Sequence, residues 1–225
     1  MNPQATKDQS DGLRSSADWL PFGWCNLWRN PFGELTRTER ADLAVVDLQP
    51  FVTHATQDHT AVQMIGGCGR GKTTRMLAIH RKFTDSSYVY LPEDAPCPPI
   101  AEGNPVLIDE AQRLPRRVRR AILATGIPLI LATHRDLTWP LRRAGYQVIT
   151  MRIGSNNDTS LVHTAMNRRI QASALNPCDA VPELTVEDAQ QLSRKFGSNI
   201  RAMESYLYDV VQTQVNGNGQ MRFID

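Results

Sequence analysis

Gly66, Gly67, Cys68, Gly69, Arg70, Gly71, Lys72 and Thr73 fit the pattern G-x-x-x-x-G-K-[ST] without a mismatch, and Thr74 follows. The chemistry of such a stretch is the binding of a nucleotide's phosphates. Glycines let the backbone take positive φ, so that successive N–H groups turn inward as an anion-binding nest. A helix starting near Gly71 adds its positive dipole end to the same place. Lys72 can then reach the β- and γ-phosphates, and the Thr73 hydroxyl can ligate Mg²⁺. Cys68 reads as a small neutral loop residue, although its oxidation would block the loop.

A second group of candidates follows at a distance that suits the first. Asp109 and Glu110 come directly after the apolar run Val106-Leu107-Ile108. An Asp there orients Mg²⁺ and its water, and a Glu beside it can take a proton from the water that attacks the γ-phosphate. Thr133 ends the run Leu129-Ile130-Leu131-Ala132 and is expected to touch that water or the γ-phosphate. His134 beside it reads as an ordinary strand-end residue.

These residues need strands that end level and helices that start where the strands stop. Thr60 to Ile65 reads as a buried strand and Thr74 to Phe83 as a helix. Further strands are expected at Ser87 to Leu91, Val106 to Ile108, Ile127 to Ala132 and Gln147 to Ile153. Helices are expected at Arg116 to Thr125, with Pro115 in the first turn, and at Leu137 to Ala144. Pro92 to Pro105 is loop. Strands alternating with helices after a phosphate loop mean an α/β fold with a parallel sheet of about five strands, ligand at the strand carboxyl ends. Upstream, Thr36 with Glu39 forms a capping box for a helix expected to run toward Leu48 and end at Pro50. Beyond the polar linker 154–158 the pattern is all helix: one capped by Thr159, one opened by Thr185 and Asp188 and closed by Gly197, one capped by Ser198 or Asn199.

The expected organisation is therefore an N-terminal tail and aromatic docking segment (1–34), a nucleotide core (35–153), a three-helix lid (154–215) and a C-terminal tail (216–225). Residues 1–17 read as disordered. Trp19 to Phe32 holds three Trp and two Phe in fourteen residues and is expected to dock on its own domain. Arg113, Arg116, Arg117, Arg119 and Arg120 form a basic cluster, the last four on one helical arc with Val118, Ala121 and Ile122 opposite. A solvated face is the default for such a run. Contact with a phosphate backbone or an acidic partner is the sharper alternative.

Composition limits the rest. A net charge of +2 on 225 residues argues for no polyanion by itself. Cys25, Cys68, Cys97 and Cys178 are scattered without a C-x-x-C pair, which disfavours zinc and disulfides and suits a reducing cytoplasm. No apolar run approaches the ~20 residues of a membrane span, and the N-terminus lacks a signal peptide's apolar core. A soluble protein is expected.

The phosphate loop, the Asp109-Glu110 pair, the polar strand end and the helical tail together resemble the AAA+ ATPases. Phe196-Gly197-Ser198-Asn199-Ile200-Arg201-Ala202-Met203-Glu204 is similar to the lid motif of initiator-type members such as DnaA. The likeness implies that Arg201 senses the γ-phosphate from the lid. The NPFGELT opening and Thr150 to Ala174 resemble the ExeA and TniB type. AAA+ rings complete each site with a neighbour's arginine, and Arg142 and Arg143 stand where that residue is expected. The resemblance thus implies ATP and Mg²⁺, hydrolysis, a homo-oligomer and a protein partner. The connection between the second and third strands departs from the pattern in having no clear helix. A GTPase is disfavoured because Thr133-His134-Arg135-Asp136 has His where guanine recognition uses Lys. A two-lobed helicase needs more chain, and a small-molecule kinase leaves Arg201 and the helical tail unexplained. An ATP-gated interaction module with negligible turnover remains the alternative to an ATPase.

Overall fold

The computed structural model describes residues 19–154 and 158–224. The N-terminal stretch read as disordered and linker residues 155–157 lie outside the described residues. Five strands form one parallel sheet: β1 (Thr60–Ile65), β2 (Ser87–Tyr90), β3 (Val106–Asp109), β4 (Leu129–Thr133) and β5 (Gln147–Arg152), in the order β2-β3-β4-β1-β5. The register keeps the carboxyl ends level, with Ile65 opposite both Thr133 and Arg152, and Asp109 opposite Tyr90 and Ala132. The loops after β1, β3 and β4 therefore collect at one rim.

Handedness decides where the helices lie. The β3–β4 and β4–β5 crossovers step the same way along the sheet, whereas β1 to β2 steps the other way. Right-handed crossovers then put α4 (Arg116–Ala124) and α5 (Thr138–Arg143) on one face and α3 (Lys72–Lys82) on the other. Burial follows. Met76 and Ile79 of α3 pack with Phe51, Val62, Met64, Leu107 and Ile130. Val118, Ile122 and Leu141 pack on the other side with Ala61, Ile108, Leu129 and Leu131. Gln63 is the polar exception within β1. Fully buried, it lies within hydrogen-bond distance of Asp136, Thr138 and Thr150 and accepts from the Leu137 N–H, and so holds the turn after β4.

The capping box at Thr36 and Glu39 is present, but the helix it opens, α1 (Arg37–Asp42), stops well short of Leu48. Pro50 does not end that helix; it stands in the first turn of α2 (Gln49–His54), where its missing N–H costs nothing. Residues 43–48 between them are non-helical. After the linker come α6 (Thr159–Ala172), α7 (Val186–Phe196) and α8 (Ile200–Gln212). Asp158, not Thr159, caps α6, through its side chain to the Ser160 N–H. Thr185 and Asp188 form a capping box for α7, and Asn199 caps α8.

These three helices have their own core, in which Val162, Met166, Ile170, Leu192, Met203, Leu207 and Val211 are buried. Phe22, Leu27 and Phe32 of the aromatic segment complete it, as do Met221 and Phe223 near the C-terminus. The segment thus packs on the C-terminal helices rather than on the sheet. The buried guanidinium of Arg169 on α6 ties the two together. It donates to the carbonyls of Pro31 and Gly33 and pairs with Glu204 of α8 at 2.5 Å. Among the described residues no helix is long and apolar enough to cross a membrane.

Candidate active site

A cavity of about 230 Å³ opens at the level rim, between the loop after β1, Glu110, the 43–46 segment and the lid. Gly69 (φ 73°) and Gly71 (φ 78°) take the left-handed conformations that the phosphate loop requires. Lys72 opens α3 and is buried. Its ammonium donates to the carbonyls of Gly66 (2.8 Å) and Gly67 (2.9 Å), and burial lowers its pKa while Glu110 and Asp109 oppose that shift. With only neutral acceptors bonded to it, this cation is poised for an anion entering the loop.

Two motifs distant in sequence meet at the cavity floor. The Thr73 hydroxyl donates to the Asp109 carboxylate at 2.7 Å. Asp109 is fully buried at the end of β3, and burial pushes its carboxyl up against the opposing pull of the Thr73 and Tyr88 hydroxyls. A hydroxyl and a carboxylate are the hard oxygen donors that suit Mg²⁺. Glu110 then turns the chain through a left-handed conformation (φ 60°, ψ 40°), which costs a non-glycine residue about 1–2 kcal/mol. Such strain is typical of functional positions. The turn brings Glu110 to the cavity while Asp109 stays underneath. Gln112 donates to its carboxylate at 2.6 Å, His134 Nε2 lies 3.2 Å from it, and Arg113 lies 3.9 Å away.

Thr133 does not reach this cavity. Its buried hydroxyl is engaged by its own turn, accepting from the Arg135 N–H (3.0 Å) and donating to the Arg135 carbonyl (2.9 Å). The strand-end side chain that faces Glu110 is His134, whose N–H is held by Gln112 and whose Nε2 is also 3.8 Å from the Cys68 sulfur. A hydroxyl one atom from the backbone bonds locally more easily than it projects. Imidazole has the reach.

From the lid, Arg201 lines the cavity, and its backbone N–H points to the Gly69 carbonyl. Arg70, also in the loop, lies against Gly67 and donates its guanidinium to the Gly154 carbonyl at 2.6 Å, where β5 gives way to the linker. Arg142 and Arg143 are exposed at the end of α5 and do not line this cavity. Arg113 leaves the basic cluster. It bonds the Leu91 carbonyl and Glu93 beside the cavity. On α4, Arg119 is partly covered and Ala121 faces out, the reverse of the expected arc. The 3.6-residue period places Arg119 with Val118 and Ile122.

The sequence reading missed the cavity's apolar wall. Leu43, Ala44, Val45 and Val46 line it opposite Leu161 and Ala165 of α6, and the Arg168 guanidinium fastens the Ala44 carbonyl from the same helix. Ala44-Val45-Val46 is β-branched enough to have argued against a continuing helix. Arg75, one turn into α3, also lines the cavity and bonds only the carbonyls of Arg70 and Gly71.

No protein-family model matches the chain, and no curated protein matches it in sequence. Among solved structures it is similar to Cdc6p from Pyrobaculum aerophilum, with a TM-score of 0.51 at 12% identity over 85% of this chain and 67% of that one. The likeness is one of fold, a five-stranded parallel sheet flanked by helices.

Proposed function

We propose that this protein is a Mg²⁺-dependent ATPase of the AAA+ type. Its nucleotide state would be coupled to self-association and to the remodelling or loading of a protein partner, on DNA in the fullest form of the reading. The observation that carries it is the 2.7 Å contact between Thr73 and Asp109 at the floor of a cavity that Glu110 and Lys72 also line. In this reading the loop from Gly66 to Thr74 holds the phosphates, with Lys72 exchanging its loop carbonyls for phosphate oxygens. Thr73 and Asp109 hold Mg²⁺, which when bound supplies charge neutralisation at the phosphates. Glu110 accepts a proton from water at its carboxylate, and His134, with Gln112, keeps that carboxylate in place. The apolar wall at 43–46 takes the base, and Arg201 brings the lid to the γ-phosphate. Arg142 or Arg143 serves a neighbouring subunit. The lid motif from Phe196 to Glu204 keeps its likeness to initiator-type members, and the four free cysteines suit the cytoplasm.

The alternative is an ATP-gated interaction module with negligible turnover. The lid-borne aromatic segment favours it, because Trp28 is 44% and Trp19 85% exposed on a segment packed with the lid helices. Phosphate release, measured against protein concentration with and without DNA, separates the two. An ATPase completed by neighbours shows a per-subunit rate that rises with concentration. A gated module binds ATP and releases no phosphate above background under any of these conditions.

A further inference from the structure

We propose that the outer face formed jointly by α4 and α5 binds single-stranded nucleic acid, with Arg116, Arg117 and Arg120 against phosphates and Trp139 stacked on a base. This extends the DNA part of the functional reading and does not depend on hydrolysis. Both helices pack on one sheet face. Ile122 and Leu123 of α4 share a small apolar groove with Pro140 and Leu141 of α5. Neither helix contains an Asp or Glu, and among the described residues none of the three arginines has an ion pair. Asp136, just before α5, is exposed, and its carboxylate accepts from Gln63 and the Thr138 N–H.

The placement of the charges argues against a purely solubilising role. Arg116 and Arg117 stand in the first turn of α4, which carries no acidic residue, so they oppose the positive end of the helix dipole. An anion docked there relieves the opposition. Trp139 supplies the second half of the chemistry. It is 72% exposed, with the Arg143 guanidinium 5.6 Å from its ring centroid. An exposed indole with Arg143 at its face, on the helix that shares a groove with the arginine-bearing α4, can stack a base while the arginines hold the backbone, and bases are free to stack only when unpaired.

Fluorescence anisotropy of a labelled oligothymidylate, titrated with the full chain in a KCl series without ATP, tests this. Wild type should bind with an affinity that falls steeply with salt. The triple variant Arg116→Ala, Arg117→Ala, Arg120→Ala should bind more weakly, with a log–log salt slope shallower by about 2, from about 0.7 per lost phosphate contact. Trp139→Ala should lose about tenfold in affinity with its salt slope unchanged, and Trp139→Phe should recover most of it. Lys72→Ala should bind as wild type does, which separates this surface from the nucleotide site. All substituted side chains on the face are exposed, and a thermal melt checks that each variant is folded. The proposal is overturned if folded wild type shows no salt-sensitive binding, or if the triple variant binds as wild type does. It is equally overturned if duplex is preferred and Trp139→Ala is indifferent, which would leave a surface that reads phosphates alone.

Discussion

The backbone N–H of Arg201 meets the carbonyl of Gly69 at 3.4 Å, so the first turn of the lid's last helix rests directly on the phosphate loop. A Cβ at Gly69 would stand 2.1 Å from Asn199 Oδ1, the side chain that caps this helix. The loop therefore touches the C-terminal helices through its backbone, apart from the proposed route through a phosphate and the Arg201 side chain.

Two substitutions separate those routes. Gly69→Ala should lift the lid start, because the methyl collides with Asn199 and the residue must keep a φ of 73°, itself costing about 1–2 kcal/mol. Amide hydrogen exchange at 200–203 should accelerate, and ATP affinity should fall. Arg201→Ala keeps the N–H and removes only the side chain. It should abolish hydrolysis while leaving exchange of these amides unchanged without nucleotide. Equal exchange in the two variants would mean that the backbone contact does not hold the lid.

Glu39 provides a pH-dependent readout away from the site. The Thr36 N–H and hydroxyl, joined by Arg29, pull its carboxyl down to about 2. A lowered folded value means stability that is present above the ordinary carboxylate range and lost as pH falls toward 2. Glu39→Ala should cost about 1 kcal/mol at neutral pH, allowing for solvent screening, and should flatten the acid limb of the melting profile. A variant that keeps the same decline between pH 4.5 and 2 would place that acid sensitivity in other groups.

Much of this was legible in the sequence because the signals were local. Thr60 to Ile65 is a strand at both ends as read, and the Thr36–Glu39 and Thr185–Asp188 capping boxes are where S/T-x-x-[DE] puts them. What escaped was decided by tertiary contacts. The 43–46 segment leaves the helix after α1 and lines the cavity, where Arg168 holds the Ala44 carbonyl, a contact from 124 residues away in the chain. Thr133 and His134 are adjacent, and only the turn at Arg135 settles which of them faces Glu110. That Arg70 would reach the Gly154 carbonyl could not be read from a position the motif leaves open.

Assembly can be tested by mixing. An Arg142→Ala, Arg143→Ala protein keeps an intact pocket but cannot complete a neighbour's. Lys72→Ala has the arginines and no working pocket. If either arginine acts in trans, the mixture should regain phosphate release that neither protein shows alone, since such an arginine contributes about 10³–10⁵ in rate. Arg201→Ala mixed with any intact-lid subunit should not recover in its own pocket. A concentration-independent wild-type rate with Arg142 and Arg143 both dispensable would remove the shared site.

In the proposed mechanism Glu110 takes the water's proton, and Glu110→Gln compared with wild type tests that role most directly. Calorimetry should show nearly unchanged Mg²⁺–ATP affinity, because Gln keeps the shape and the contact with Gln112. Phosphate release should slow by on the order of 10²–10⁴-fold, the usual worth of a general base. Release at the wild-type rate with affinity intact would contradict the assignment of Glu110 as the group that takes the water's proton.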